Sequence, residues 1–347
     1  MSLKKDRFNS FDKKYMRFAI NLAKNQNGLT GTNPSVGCVI VKNKKIISYG
    51  VTNFNGRPHA EAIALNKNKH NNSGSSIYLT LEPCSHYGKT SPCVNKIITN
   101  KIKRVFFSLK DPDIRSYDKS TKKFMDNNIY VKNNILIQEV RNFYKSYIKY
   151  KKENYPFVTA KLAISKDFFT NNKKKKWITN SFSRGRVHLM RSNHDCILTS
   201  GNTVIVDNPK LTCRVNGMEK FSPSRIILDK NLKIPIKSNI VISANKHRTI
   251  IFYNKINPKK IKVLKKLKVK LIKTPLVKDE NFDLRNILMK VKLLGFSRIF
   301  LESGLNLTTS FLNKGLVNDF QLFVSGKNLG NNGDNSFKKN MKFFLKN

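Results

Sequence analysis

Acidic residues are scarce in this chain. Its 347 residues carry 21 Asp and Glu against 67 Lys and Arg, a formal charge of +46. Such an excess usually points to nucleic acid. Here the lysines are spread over both halves rather than gathered in one stripe, and runs such as NNKKKKW and NPKKIKVLKKLKVK read as solvated faces. No nucleic-acid partner is therefore expected, and the field would instead steer small anions. Long apolar runs are missing too, so no segment reaches the length of a membrane span. The basic start MSLKKDRFNS has no apolar h-region behind it and does not read as a secretory signal. Cysteines number five, an odd count that suits a reducing compartment better than a disulfide framework. These absences predict a soluble cytoplasmic chain. There is no internal repeat, and no glycine-rich strand-to-helix turn with the dinucleotide fingerprint.

What is present divides in two. The length exceeds that of one ordinary compact domain. The charged stretch YKSYIKYKKENYP follows a helical pattern, and the boundary is expected near residue 150, giving domains 1–150 and 151–347. In the first half, apolar runs near Ile77–Leu81, Val105–Ser108 and Ile129–Val131 alternate with helical patterns near Ala60–Asn66, Cys93–Asn100 and Ser120–Asn127. VGCVIVKNKKIISYG reads as a hairpin turning at Asn43 and Lys44. The alternation predicts a three-layer α/β sandwich. The second half alternates in the same way, with strands expected from Phe157–Ala163 to Phe320–Val324 and a late helix at Thr308–Lys314.

Four residues of the first half carry chemistry. His59 and Glu61 lie in PHAEAIAL, and Cys84 and Cys93 in LTLEPCSHYGKTSPCVNKII. One imidazole and two thiolates are a three-ligand set for Zn2+ with a fourth position open, the layout of a catalytic site. Glu61, two residues after the His, can reach that position without being a ligand. A His, two Cys and a proton-moving Glu are the parts of a zinc deaminase. Each ligand follows a proline, and each is expected in the first turn of a helix, where the dipole favours thiolate. Cys38, Cys196 and Cys213 read as inert core thiols.

Most zinc deaminases of nucleobases keep two residues between their cysteines. Here eight separate Cys84 from Cys93. EPCSHYGKTSPC, TNPSVGCVIV and GRPHAEAIAL together resemble the deaminase domain of the bacterial bifunctional riboflavin-biosynthesis deaminase–reductases. The resemblance implies a cytidine-deaminase-like fold that deaminates 2,5-diamino-6-(phosphoribosylamino)pyrimidinone. It makes His59, Cys84 and Cys93 the zinc ligands and Glu61 the proton shuttle. Asn33 would hold the pyrimidine, with His86 and Lys89 facing the substrate or its phosphate.

The stretches WITNSFSRGRVHLMRSNHDCILTSGNTVIVDNPKLTCR and IFLESGLNLTTSFLNKGLVNDF resemble the reductase domain of the same family. That implies a dihydrofolate-reductase-like fold that reduces the ribosyl group to a ribityl chain with NADPH. Arg191 and Arg214 would bind the substrate phosphate, and Lys175, Leu211 and Glu302 would contact substrate. Ala163, Trp177, Thr203 and Asp207 would touch NADPH, and Gly304, Leu305 and Asn306 would form the turn against its phosphates. The guanidinium fork suits phosphate oxygens, and backbone N–H groups at a helix start suit a pyrophosphate.

Three places depart from the family pattern. DPDIRSYDKS lacks the proline and glycines expected after the first DP. The SKDF turn places Phe168 where the family has glycine, and KKKKW places Lys175 where it has serine. A left-handed backbone at Phe168 would cost about 1–2 kcal/mol. The leading expectation is the two-step enzyme, acting on a phosphorylated pyrimidine as a homo-oligomer. Two alternatives stand beside it: a deaminase with a structural second domain, and a zinc-stabilised nucleic-acid-binding protein. The eight-residue insert counts against the last.

Overall fold

The computed structural model describes residues 8–68, 71–88, 90–174, 177–277 and 280–343. Contacts within the chain group it into two compact units, Met1–Glu153 and Asn154–Asn347.

The first unit runs α1 (Ser10–Asn25), β1 (Gly37–Lys42), β2 (Lys45–Val51), α2 (Ala60–Lys67), β3 (Ser76–Leu81), α3 (Cys93–Thr99), β4 (Arg104–Leu109), α4 (Lys119–Met125), β5 (Tyr130–Lys132), α5 (Ile137–Phe143) and α6 (Lys145–Lys152). Its five-stranded sheet has the order β2-β1-β3-β4-β5. β1 is antiparallel to β2 and β3, while β3, β4 and β5 are parallel. The hairpin turns where expected: Asn43 and Lys44 both have positive φ, 49° and 60°, as a two-residue turn matched to strand twist requires. Two glycines place the layers. A Cβ on Gly37 would lie 1.9 Å from the carbonyl of Ala19, so α1 rests on β1. A Cβ on Gly50 would lie 2.3 Å from the carbonyl of Ala60 at the start of α2. Gly50 pairs with Cys38, the neighbour of Gly37, so these two glycines face opposite sides of the sheet. Helices therefore cover both faces, in the expected three layers.

The second unit runs β6 (Phe157–Ile164), β7 (Phe169–Asn172), α7 (Ser181–Ser192), β8 (Cys196–Ser200), α8 (Gly201–Asp207), β9 (Ser224–Leu228), α9 (Asn239–Ile242), β10 (Thr249–Tyr253), α10 (Pro258–Lys266), β11 (Lys270–Lys273), α11 (Leu284–Leu293), β12 (Arg298–Glu302), α12 (Leu305–Asn313), β13 (Asp319–Val324) and β14 (Gly333–Ser336). Seven strands form one parallel sheet, in the order β11-β10-β9-β8-β12-β6-β13. Alternate residues face opposite ways. Val158, Leu198, Ile226 and Phe252 pack with Ile287 and Val291 of α11. Ile197, Ile227, Ile251 and Phe300 pack with Val187 of α7, Val204 of α8 and Leu264 of α10. This doubly covered parallel sheet is the α/β arrangement that the alternation predicted. Among the described residues no helix is long and apolar enough to cross a membrane.

Three differences from the expectation matter for function. A short helix, α8, follows β8 directly. α12 begins at Leu305, three residues before the expected start. β7 and β14 form a separate antiparallel ribbon. Phe168, in the turn between β6 and β7, has φ 71°. The left-handed backbone is thus adopted by a residue with a full side chain. Two contacts offset its strain: the ring packs against Leu162, Ile164 and Phe337, and the carbonyl accepts the Phe337 N–H at 2.8 Å.

Candidate functional site

The first centre assembles at the ends of α2, β3 and α3. His59 is the N-cap of α2, in extended backbone. Cys93 is the first residue of α3, behind Pro92. Cys84 corrects the expectation that every ligand sits on a helix: it lies in the loop after β3. The helix start still reaches it, because the Cys93 N–H donates to Cys84 Sγ at 3.3 Å. His59 Nδ1 is 3.4 Å from Cys93 Sγ and 3.7 Å from Cys84 Sγ, and the three ligand atoms all lie within 4.8 Å of one another. Bond lengths of about 2.3 Å to sulfur and 2.0 Å to nitrogen put tetrahedral ligand atoms about 3.5–3.8 Å apart. The donor set fits one zinc ion.

The sulfurs are not equivalent. Bonds from the Cys93 side chain, the His59 ring and the Cys93 N–H hold Cys84 down to about 4, against its burial. Cys93 is pushed well up by its bond to Cys84 and by burial. The thiolate-favouring helix start thus acts through its N–H on the neighbouring loop cysteine. His59 is raised, chiefly by its bond to Cys84. Glu61, 4% exposed, sits in the first turn of α2 and is raised by burial. A carboxyl buried beside the ligand sulfurs can hold a proton that a solvated one would release.

Around this core the loops are tied down. Glu82 was not anticipated, although EPC in the sequence sets a carboxylate two residues before a ligand. It is buried and accepts the N–H groups of Asp111, Asp118 and Ser120 at 3.1, 3.0 and 3.2 Å and the Ser120 hydroxyl at 2.7 Å. It thereby shapes the 111–120 loop, whose sequence departs from the family. That loop presents Ser116, whose hydroxyl meets His86 Nδ1 at 2.8 Å. Burial, and Arg115 after it, lower His86, which favours the neutral ring. Asp111 accepts the Tyr147 hydroxyl at 2.9 Å and is raised to about 6 by burial. Lys89 lies outside the described residues.

Asn33 stands in the loop between α1 and β1, against Gly56. Gly56 has φ 84°, and a Cβ there would lie 2.2 Å from Asn33 Nδ2. Gly56→Ala would combine a disfavoured left-handed backbone with a displaced Asn33. On the deaminase–reductase reading that the resemblance implies, with Asn33 holding the ring, KM for deamination should rise about tenfold, equivalent to about 1.4 kcal/mol of lost binding, with reductase kinetics unchanged. Steady-state assays of both reactions on one preparation check this. Equal KM values for the variant and the parent would show that Asn33 does not hold the ring.

The second centre gathers at the carboxyl ends of β8, β12 and β6, where the strand order reverses. Parallel sheets bind ligands at such a switch point. Glu302 ends β12, and its register partner on β6 is Lys161. Paired residues share a face, as do residues two apart, so Lys161, Ala163 and Glu302 face one way. Arg191 of α7 closes on Glu302 bidentately, Nε to Oε2 at 2.9 Å and Nη2 to Oε1 at 2.8 Å, and Nη1 donates to the Thr212 carbonyl at 2.9 Å. Lys161 was missed by sequence reasoning; the signal was one lysine inside the apolar run FVTAKLAI. Burial pushes Lys161 down, with Glu302 working against it.

Thr203 and Asp207, expected to touch NADPH, are four apart on α8 and share a face. Thr203 Oγ1 meets the Ser303 hydroxyl at 3.4 Å, linking the turns after β8 and β12. Gly304 is the N-cap of α12, without a capping side chain, and Leu305 and Asn306 form its first turn. Trp177 is exposed, with the Arg184 guanidinium 5.2 Å from its ring centre. Leu211, expected to contact substrate, can do so only through its main chain. Its side chain is buried in the apolar core with Val187 and Val204, so it offers no side-chain contact to a ligand. Lys175 lies outside the described residues.

Comparison with known proteins adds to this geometry. Residues 156–343 match the RibD C-terminal domain, and residues 9–109 match the cytidine and deoxycytidylate deaminase zinc-binding region. Riboflavin biosynthesis protein RibD of Aquifex aeolicus is 36% identical over 92% of this chain and 88% of its own. The Escherichia coli protein of the same name is 30% identical over 92% and 89%. The crystal structure of a diaminohydroxyphosphoribosylaminopyrimidine deaminase/5-amino-6-(5-phosphoribosylamino)uracil reductase from Thermotoga maritima superposes with a TM-score of 0.82, at 30% identity, covering 95% of this chain and 90% of that one. Acinetobacter baumannii RibD gives 0.83 at 28% identity, covering 93% and 89%. With both halves matched in order and over nearly their full length, the chain belongs to the RibD family, the bifunctional deaminase–reductases of riboflavin biosynthesis.

Proposed function

We propose that the two centres act in turn on one phosphorylated pyrimidine, and that residues 1–150 and 151–347 are the deaminase and reductase domains. The first would deaminate 2,5-diamino-6-(5-phosphoribosylamino)pyrimidin-4-one, and the second would reduce the ribosyl group of the product with NADPH. The observation that carries the reading is the convergence of His59, Cys84 and Cys93 on one point beside buried Glu61.

His59, Cys84 and Cys93 would hold the zinc ion. Zinc bound there supplies the acidity that bulk water lacks at neutral pH. Glu61 takes the proton from the attacking water and gives it to a ring nitrogen. It then delivers a proton to the departing amine, which leaves as ammonia. Asn33 orients the pyrimidine. His86, held at Nδ1 by Ser116, turns Nε2 to the substrate, and Lys89 binds at the phosphate end.

In the second centre, NADPH supplies the hydride that reduces the ribosyl carbon. The N–H groups at Gly304, Leu305 and Asn306 receive the cofactor phosphates. Thr203, Asp207, Trp177 and Ala163 line its bed. Arg191 and Arg214 receive the substrate phosphate, and Glu302 holds the sugar. Arg191, with Lys161 after it, keeps Glu302 ionised, and Lys161 supplies the proton that accompanies the hydride. Lys175 and the main chain of Leu211 border the substrate.

Incubating the full chain with the diaminopyrimidinone phosphate, with and without NADPH, tests both steps by mass. Exchange of amine for oxygen is expected without NADPH, and a further gain of a hydride and a proton with it. Deamination without any reduction would leave the second domain structural. Metal analysis tests the ligand set: Cys93→Ser should lose its zinc to a chelator that leaves the parent loaded, while reductase activity persists. Full zinc retention in that variant would remove Cys93 from the set.

A further inference from the structure

Alone among the described helices of the first unit, α6 has no buried residue. Its start is nevertheless fixed. Tyr144, which caps it, is 2% exposed, and its hydroxyl donates to the Ser35 carbonyl at 2.8 Å and meets the Thr80 hydroxyl at 2.6 Å. Tyr147 and Lys151 follow, four apart on one face of the helix. Both reach the 111–120 loop. The Tyr147 hydroxyl donates to Asp111 Oδ1 at 2.9 Å, and Lys151 Nζ donates to Asp113 Oδ2 at 2.8 Å. None of the roles above uses Lys151 or the bond it makes, although it belongs to the first unit.

From Asp113 the bonds run on to the first centre. Its carboxylate also accepts Arg115 Nε at 2.9 Å and Nη2 at 2.6 Å, and its N–H donates to Asp111 Oδ1 at 3.0 Å, which joins the two carboxylates that α6 holds. Bonds from Arg115 first, then from Lys151, keep Asp113 well below the usual carboxylate range, so it is ionised at neutral pH. The Lys151 and Asp113 side chains are 24% and 9% exposed, and water screens such a pair less than a surface one. The Asp113 carbonyl accepts the Ser116 N–H at 2.9 Å, and the buried Ser116 hydroxyl meets His86 Nδ1 at 2.8 Å. Three bonds in series thus join Lys151 to His86. Glu82 grips both ends of the loop, and α6 supplies the hold on Asp113. The segment DPDIRSYDKS lacks the family's proline, which would fix φ there. Side-chain bonds restrain the loop instead.

We propose that Tyr147 and Lys151 are positioning residues for deamination: α6 is a strut that sets the 111–120 loop and, through Asp113 and Ser116, the His86 ring. This rests on the reading of His86 as a substrate contact. Neither Tyr147 nor Lys151 bonds to a zinc ligand or to Glu61. Their loss therefore weakens the grip on substrate and leaves the chemical step alone.

The test follows ammonia release by the full chain. Tyr147→Phe combined with Lys151→Met removes both bonds and nearly keeps the side-chain volumes. KM for deamination should rise about fivefold, with kcat within about twofold of the parent. Zinc content and reductase rates at the parent values report the fold. A helix that merely stabilises the unit would give the reverse, a lower kcat and less zinc with KM unchanged, and that result overturns the inference. Lys151→Arg keeps the cation and should hold KM within about twofold of the parent; a rise equal to that of Lys151→Met removes Lys151 from the strut. His86→Ala should raise KM about tenfold, and adding the two α6 substitutions should raise it no further, whereas independent action would multiply to about fiftyfold. An unchanged KM in the α6 pair, or multiplication with His86→Ala, overturns the inference. An unchanged KM in His86→Ala shows instead that His86 does not contact substrate, and the underlying reading fails.

Discussion

Glu61→Gln is expected to keep its zinc and stop releasing ammonia. Gln has the same shape, so the buried first turn of α2 keeps its packing and His59, two residues earlier, keeps its place. What is lost is the ability to take a proton from water and return it to the ring nitrogen and the amine. Positioned proton transfer contributes about 10²–10⁴-fold, and the proposed role gives one group several transfers, so the upper end applies. Burial raises Glu61, so it is adapted to hold a proton as well as to accept one. Ammonia release, zinc content and NADPH oxidation on the deaminated intermediate should be measured on one preparation. The expected result is a fall of about 10³-fold or more in the first and no change in the other two. Ammonia release within tenfold of the parent would mean that another base does the work.

The first centre was legible in the sequence because its parts are local. His59 and Glu61 share one turn, and Cys84 and Cys93 bracket one short insert. Prolines and apolar periodicity placed them at element ends, and the strands near them fell within a residue or two of their predicted limits. The error over Cys84 came from treating a proline before a cysteine as a helix start. The structure instead uses one helix start to serve both sulfurs. Glu82 and Lys161 were not legible for a different reason. Each acquires its role from register or loop closure across long stretches of chain. Lys161 meets Glu302 through strand pairing across 141 positions, and no local pattern encodes that. The β7–β14 ribbon was missed because FTNN and GDNS lack the alternating apolar pattern that marks a strand. Phe168 was read correctly as a residue in a glycine position. The compensating packing and the backbone bond with Phe337 could not be seen, since that partner lies far along the chain.

Glu302→Ala is expected to cost both the reductase reaction and the stability of the second unit. The carboxylate is partly buried, 17% exposed at its side chain, and has two cations as neighbours. Arg191 makes two bonds to it, and Lys161 is its register partner. Burial alone would raise Glu302, but Arg191 first and Lys161 after it outweigh that, so the net shift is downward. A carboxylate lowered in the fold contributes stability that is present above its unfolded value, near 4.3, and is lost as pH falls through its folded value. At neutral pH the contribution is whole. Removing the carboxylate leaves Arg191, only 9% exposed at its side chain, without its counter-ion. Breaking a buried pair from one side costs about 3–5 kcal/mol, because the remaining charge stays buried and unpaired. Deamination should continue, since its residues belong to the other unit. Denaturant melts followed by a probe in the second unit measure the loss. The double variant Glu302→Ala, Arg191→Ala should recover part of it, because the orphaned charge is then gone. If the single variant loses under about 1 kcal/mol, the pair behaves as a solvated one, and Arg191 is then free to reach the phosphate without giving up Glu302.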